Sequence, residues 1–304
     1  MKSTNPFISV IIPTFNSENF IEETLLSVFK QTYQNFEVIV SDDGSSDQTI
    51  KKVKNLHTKF PQIKLTILQN KHSGPGENRN KGVAKSSGEW ISFLDSDDLW
   101  KENKLQLTSE VIEKKQFDLV CHHEYMIDGN KKTLLDHKKK HLKNLHPFIS
   151  LLRSNSLSPS ATTLKKKTFL KVGGFDKNLP SAQDFDLWLR LAQLRDFKIY
   201  HMEKPLGEYI VREGSISSNP LKRLRCMLII AQKYKEGIQE YSRSPLLETL
   251  RYKGLAYSVA GRQLLFRKQF FSGIRFFLMG QLLWPRFDWP IKVLKGLYRR
   301  YFMS

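Results

Sequence analysis

Phe93-Leu94-Asp95-Ser96-Asp97-Asp98 is the stretch on which the fold turns. Trp90–Leu94 is an apolar run of strand length, and three carboxylates crowd the four positions that follow it. Carboxylates this close repel one another unless something positive lies between them. A strand ending in such a cluster fits an open α/β sheet, which binds ligands at the carboxyl ends of its strands. A divalent cation carrying phosphate oxygens would suit it, because Mg²⁺ and Mn²⁺ take one or two carboxylates plus substrate phosphates. The same residues would equally suit a solvated turn capping a helix that starts near Trp100, since Asp is a good N-cap.

Outward from this stretch the pattern repeats. Phe7–Ile12 reads as a buried strand that ends in Pro13-Thr14-Phe15-Asn16. Ser17 is a candidate N-cap for a helix to about Gln31. Phe36–Val40 is a second strand, ending in Ser41-Asp42-Asp43-Gly44-Ser45-Ser46-Asp47, and Lys64–Gln69 is a third. Strands alternating with helices argue a parallel, doubly wound sheet whose polar clusters share one edge. The loop His72–Asn80 contains glycines but is neither the dinucleotide fingerprint nor a Walker A loop. Further on, Phe117–Tyr125 reads as strand, Asp128–Lys143 as a polar, basic loop, and Val172-Gly173-Gly174-Phe175 as a turn. In Gln183–Leu194, Leu187, Trp188, Leu191 and Leu194 have helical spacing, with Asp184 and Asp186 in the first turn. Either acid could be a capping group favoured by the helix dipole or a catalytic base. From about Pro220 the chain reads helical: Leu221–Lys235, Leu246–Phe266, Phe270–Leu283 and a short basic segment, Ile291–Phe302.

The 304 residues allow one large domain with an appendage, or two domains, and 40% hydrophobic residues exclude a disordered chain. Cys121 and Cys226 make neither a disulfide framework nor a zinc site, which suits a reducing compartment. Met1–Pro6 lacks the apolar core of a signal peptide. No segment reaches the roughly 18 apolar residues of a membrane span. Of the net charge of +19, the stretch from Arg251 onward supplies +10, with eleven Lys/Arg against Asp288 alone. That basicity fits nucleic acid or an anionic membrane. A nucleic-acid-binding protein would be expected to show an RRM, KH, helix-turn-helix or zinc-finger signature, and none is present. A sugar nucleotidyltransferase would be expected to carry a glycine- and arginine-rich phosphate loop after the first strand, where this chain has Pro13-Thr14-Phe15-Asn16.

Five motifs together resemble glycosyltransferase family 2, the inverting family with the GT-A fold. They are Ser9–Asn16, Val40–Asp47, Asn78-Arg79-Asn80-Lys81-Gly82, Phe93–Asp98 and Gln183–Arg190. The resemblance covers roughly residues 6–217. It implies a Rossmann-like nucleotide-diphospho-sugar transferase domain with a mixed central sheet over 1–217. Residues 218–304 would form a helical, basic, membrane-associating extension. It further implies that Pro13, Thr14 and Asn16 lie at the nucleotide base and ribose, and that Asp43 bonds a uracil ring with Asp42 supporting its loop. Arg79 would reach the nucleotide, and Asp95, Asp97 and Asp98 would hold ribose and metal, either Asp97 or Asp98 being the direct ligand. Asp184 matches the catalytic base. The cofactor would be Mn²⁺ or Mg²⁺, and the donor a UDP-sugar transferring a hexosyl or N-acetylhexosaminyl unit. The acceptor would be a glycan or lipid-linked glycan in bacterial-type surface polysaccharide assembly, with no nucleic acid as partner. The setting would be cytoplasmic, with peripheral contact at the inner face of the plasma membrane through the basic tail. Two positions depart from the family pattern: Gln183 precedes Asp184 where Glu is frequent, and Arg212 stands where a histidine is frequent. Arg212 would then pair directly with phosphates.

Overall fold

Four apolar runs become the parallel half of one sheet. In the computed structural model, which describes residues 5–114, 116–140, 144–212 and 219–286, they are β1 (Ile8–Thr14), β2 (Phe36–Asp42), β3 (Leu65–Gln69) and β4 (Trp90–Phe93). β1 lies between β2 and β4, with Thr14 opposite Asp42 and Ile11 opposite Phe93. The strands are near-continuously apolar because both sheet faces are covered. On one face Ile8, Val10 and Ile12 meet Ile21, Leu25 and Val28 of α1 (Ile21–Phe29) and Val53 and Leu56 of α2 (Thr49–His57). The other face carries α3 (Pro75–Lys85).

Beyond β4 the sheet departs from the all-parallel reading and is mixed, as the GT-A resemblance implies. Its order is β3-β2-β1-β4-β8-β6-β9-β5, with β7 paired to β6. Here β5 is Leu99–Trp100, β6 Leu119–Asp128, β7 Lys131–Leu135, β8 Thr162–Lys165 and β9 Ile199–Ile210. β8 runs antiparallel to both β4 and β6, and β9 runs parallel to β6. No helix starts at Trp100. Leu99–Trp100 pairs with β9, and α4 (Lys104–Lys114) starts later. Nor is Asp128–Lys140 an open loop. β6 and β7 form a hairpin, with Lys132 4.4 Å from the Tyr125 ring and 2.7 Å from Glu208, and α5 (His137–Lys140) follows. Ser17 does not cap α1 with its side chain. Its carbonyl accepts from Phe20 N and Ile21 N, and its hydroxyl meets Ser96 Oγ at 2.9 Å.

Two buried ionisable side chains brace the sheet, Lys104 from α4 and Glu37 from β2. Lys104 is fully buried, with Nζ bonded to Ser92 Oγ and to Thr163 Oγ1 at 3.0 Å, and 3.7 Å from the Trp100 ring. Burial pushes its ammonium well below the usual lysine range. Glu37, on β2, accepts from Ser9 Oγ at 2.8 Å, Ser87 N at 2.6 Å and Ser87 Oγ at 2.7 Å, and pairs with Lys64 at 2.6 Å. Burial acts to raise its pKa, but these partners outweigh it and bring the carboxyl from 4.5 to about 2. A carboxylate depressed in the folded state adds stability above its unfolded pKa and loses it as the pH falls through the window from 4.5 to about 2. Glu37→Gln is therefore expected to cost about 2 kcal/mol at neutral pH. In denaturant titrations that deficit should shrink below pH 4.5. A deficit that stays constant down to pH 3 would refute the pairing as its source.

The described residues form two compact units. One takes 1–143, 154–178 and 183–212; the other takes 144–153, 179–182 and 213–304. Two short segments of the first 217 residues thus go with the helices. In the second unit α6 (Pro147–Arg153) places Phe148 5.7 Å from Tyr234 and 5.6 Å from Tyr241. Arg153 Nε donates to Glu248 Oε1 at 2.9 Å. Further elements are α7 (Lys166–Lys171) and α8 (Gln183–Ala192) in the first unit. The second adds α9 (Pro220–Lys233), α10 (Lys235–Tyr241), α11 (Pro245–Phe266) and α12 (Phe270–Leu283). The basic segment Ile291–Phe302 lies outside the described residues.

Candidate active site

The site is assembled where β1, β2 and β4 end. Asp42 closes its own turn: Thr14 Oγ1 donates to it at 3.1 Å, Gly44 N at 3.2 Å and Ser45 N at 2.9 Å. Asn16 has a φ of 47° and clips the same turn to β1, accepting from Ser46 N at 2.9 Å and donating its own N–H to Ser45 Oγ at 2.9 Å. Pro13 pairs with Ser41 inside the sheet. Thr14, Asn16 and Asp42 thus brace one another. The buried Asp43 faces the next loop, accepting from Ser73 N at 2.8 Å and Gly74 N at 2.9 Å, with His72 Nδ1 at 3.0 Å. Ser73 Oγ adds a longer contact at 3.3 Å, so the exposed His72 and the Ser73 hydroxyl are the two partners a ligand could displace from this carboxylate. Beside it Phe15 is 47% exposed, its ring 4.7 Å from that of His72. An aromatic ring left in water at the end of a buried strand is a signal the sequence does carry, in the tetrad Pro13-Thr14-Phe15-Asn16.

α3 delivers Arg79. Its guanidinium bonds Asp95 through Nη2 and lies 5.4 Å from the Phe175 ring. Phe175 is held there by Asn80, whose side chain donates to its carbonyl and accepts from its N–H, both at 2.9 Å. The turn that makes this possible uses Gly173 and Gly174 at φ 80° and 69°. α3 also abuts the start of α8, because a Cβ at residue 76 would lie 2.8 Å from Gln183 Cδ. Glycine there lets the helices carrying Arg79 and Asp184 come together.

The three carboxylates after β4 separate into different environments. Asp98 is buried, accepting from Ser160 Oγ at 2.6 Å and from Ile210 N at 3.1 Å. Burial first, then the charges of Asp95, Glu124 and Asp97, hold its carboxyl well above the usual range. Burial and the neighbouring Asp95 push Asp97 up to about 6, against the pull of Arg212 and Arg79. Arg212 lies with its guanidinium 3.7 Å from the Phe20 ring. The buried Nε–H groups of both Arg79 and Arg212 have no hydrogen-bond partner among the described residues. Residues 213–215, which follow Arg212 in the sequence motif, lie outside the described residues.

In α8, Asp184 and Asp186 share a turn but not a setting. Asp186 is fully buried and takes Arg190 Nε at 2.9 Å and Nη2 at 2.8 Å, whereas Asp184 is half-buried. Phe20, Phe175 and Ser160 were not signalled by the sequence. They reach the site from loops remote in the chain, and only the folded contacts single them out. Among the described residues no three His, Cys, Asp or Glu side chains converge as a metal cage.

A sheet of this order, with an acid pair and two arginines at its carboxyl edge, is the architecture of a GT-A transferase. The model of glycosyl transferase family 2 matches residues 9–170, more than half of the chain. The chain belongs to that family, and it is a glycosyltransferase. An Escherichia coli relative, the UDP-Glc:alpha-D-GlcNAc-diphosphoundecaprenol beta-1,3-glucosyltransferase WfgD, is 30% identical over 222 residues, spanning 72% of this chain and 82% of its own. The crystal structure of S. aureus TarS with UDP-GlcNAc superposes with a TM-score of 0.63 at 24% identity, covering 96% of this chain and 81% of that one. The mannosyltransferase PcManGT from Pyrobaculum calidifontis, in complex with GDP-Man and Mn²⁺, gives 0.62 at 17% identity, covering 98% and 81%. At these identities the two structures bear on the fold alone.

Proposed function

We propose that this chain is an inverting glycosyltransferase that moves a sugar from a UDP-sugar to a hydroxyl of a glycan or lipid-linked glycan. The observation that carries the reading is the carboxyl edge itself. Arg79 and Arg212, each with an unused Nε–H, flank the Asp95–Asp97 pair and offer donors for a diphosphate. Asp43 would accept from the uracil ring, with the exposed face of Phe15 beside it for the base. The relative WfgD is named for a UDP-Glc donor and a diphosphoundecaprenol-linked acceptor, which supports both assignments.

Asp184 takes the proton of the acceptor hydroxyl as that oxygen attacks the anomeric carbon. The bond from that carbon to the diphosphate oxygen breaks on the opposite face, so the anomeric configuration inverts. Arg79 and Arg212 hold the charge that builds on the departing diphosphate. The paired carboxylates fit a divalent cation: Asp97, held near 6 by burial and by Asp95, is a side chain short of positive charge. Asp95 and Asp97 would bind Mn²⁺ or Mg²⁺, and Asp98, committed to Ser160 and Ile210, would order the loop. Once bound, the cation supplies Lewis-acid stabilisation to the diphosphate.

We assign catalysis to a domain ending near residue 217, with 218–304 as a helical accessory region. Peripheral contact with the inner face of the membrane belongs to the same proposal. The test is donor hydrolysis by purified protein over UDP-, GDP-, dTDP- and CMP-sugars with Mn²⁺, with Mg²⁺ and with chelator. Chelator-sensitive UDP release from one sugar is expected. Absence of both turnover and nucleotide binding across the panel would overturn the reading.

A further inference from the structure

Among the described residues, protein covers α12 on one side only. It packs on α11 through a seam of small residues: a Cβ at Gly280 would lie 2.5 Å from Ser258 N, and one at Gly273 2.9 Å from Leu265 N. The side away from this seam is apolar and open. Phe270 is 50% exposed, Phe271 94%, Ile274 51%, Leu278 61% and Leu282 85%. At about 100° per residue these five fall within an arc of roughly 120°. Exposed apolar residues scattered singly are ordinary, but five on one face of one helix make a patch that something covers.

The charge around the patch limits what that can be. From Thr249 to Arg286 the chain carries seven Lys/Arg and no Asp or Glu. Arg267, Lys268 and Arg275 are exposed at the head of α12 and along it. A second copy of this face would set like charges against one another. The chain's own residues 287–304 bring four further basic residues against one acid, so they too lack the complementary sign. A span is also excluded, because 14 residues of helix reach only about 21 Å against a hydrocarbon core of about 30 Å. No helix among the described residues is long and apolar enough to cross a membrane.

We infer that α12 lies in the plane of an anionic bilayer. The Phe271–Leu282 stripe sits among the acyl chains, and Arg267, Lys268 and Arg275 sit among the lipid phosphates. This gives a surface to the membrane contact proposed above, and it places that contact on α12 instead of the basic segment Ile291–Phe302. It stands whether or not the donor assignment does.

The test is co-sedimentation of the full chain with vesicles of equal parts phosphatidylglycerol and phosphatidylcholine, against vesicles of phosphatidylcholine alone. Tighter binding to the anionic vesicles is expected, by about tenfold or more, and weakening with salt. F271E/L278E should lower that binding by about tenfold or more, and R267E/K268E/R275E should remove the preference for anionic lipid. Donor hydrolysis should be unchanged in both, which separates failure of the surface from failure of the enzyme. A second measurement avoids disruptive charges. Cys121 and Cys226 are buried, so Leu278→Cys can be labelled selectively with a polarity-sensitive fluorophore, whose emission should shift to the blue on anionic vesicles. An unshifted label would overturn the inference. So would a wild-type dimer in ultracentrifugation that F271E/L278E dissociates without any vesicle binding. Loss of vesicle binding in K292E/K295E/R299E/R300E, with F271E/L278E unaffected, would assign the contact to the segment 287–304 instead.

Discussion

Asp184→Asn will lower sugar transfer by about 10³-fold while leaving donor affinity within a few-fold of wild type. The expectation rests on a contrast inside one helical turn. Asp186 is closed off by two bonds from Arg190, so it cannot receive a proton from an acceptor without breaking its own pair. Asp184 sits half-exposed in the first turn of α8, where the helix dipole favours the carboxylate. The fully buried Leu187, Trp188, Leu189 and Leu191 fix that helix, and the Gly76–Gln183 contact sets it beside α3. An amide keeps the shape and removes the basicity. Steady-state transfer, with donor binding by calorimetry, checks the split between turnover and affinity. Near-normal turnover would remove Asp184 from the mechanism. Asp186→Asn should instead lower thermal stability, because it weakens a buried ion pair.

Asp97→Asn and Asp98→Ala should fail in different ways. Asp97→Asn is expected to weaken Mn²⁺ binding about 100-fold or more with little change in melting temperature. Asp98→Ala strips the acceptor from the buried Ser160 Oγ and the partly buried Ile210 N, and should cost about 2–4 kcal/mol of stability. The pair of measurements is manganese titration and thermal unfolding for each variant. If Asp98→Ala lost metal binding at unchanged stability and Asp97→Asn kept it, the roles assigned to the two carboxylates would be reversed.

The strands that build the site were legible because each is a short apolar run ending in polar residues. Phe7–Ile12, Phe36–Val40 and Trp90–Leu94 all appear in the sheet, and their ends carry Asp42, Asp43 and Asp95 to one edge. The antiparallel half was legible in part: Phe117–Tyr125 reads as strand and becomes β6, whereas β7 and β8 went unread. Thr162–Lys165 is too short and too polar to announce itself, and it is a strand only because β4 and β6 flank it. The sequence of β9 reads as two fragments, Phe197–Tyr200 and Tyr209–Arg212, because Glu203, Lys204 and Pro205 interrupt its apolar pattern. In the fold it is one strand, and the irregularity is absorbed by register shifts opposite His122 and His123. Within the site, the acids could be read but not their division of labour. What separates Asp97 from Asp98 is Ser160 and the Ile210 N–H, and both arrive from distant parts of the chain.

Lys104 bears on why this chain adopts a single strand alignment. Ser92 on β4 and Thr163 on β8 are direct cross-strand partners, and the Lys104 ammonium is bonded to both hydroxyls at once. Sliding β8 by one residue would send Thr163 to the opposite face of the sheet and bring Thr162 or Leu164 to the Lys104 amine, depending on the direction of the slip. The slip that brings Leu164 would leave the buried Lys104 amine with one of its two hydroxyl partners, and a buried polar group short of a partner costs more than an ordinary lost contact. Lys104 therefore acts as a combination lock on the seam between the parallel and antiparallel halves. It penalises the slip that would set Leu164 against it, and Asp98 and Ser160 meet across that same seam.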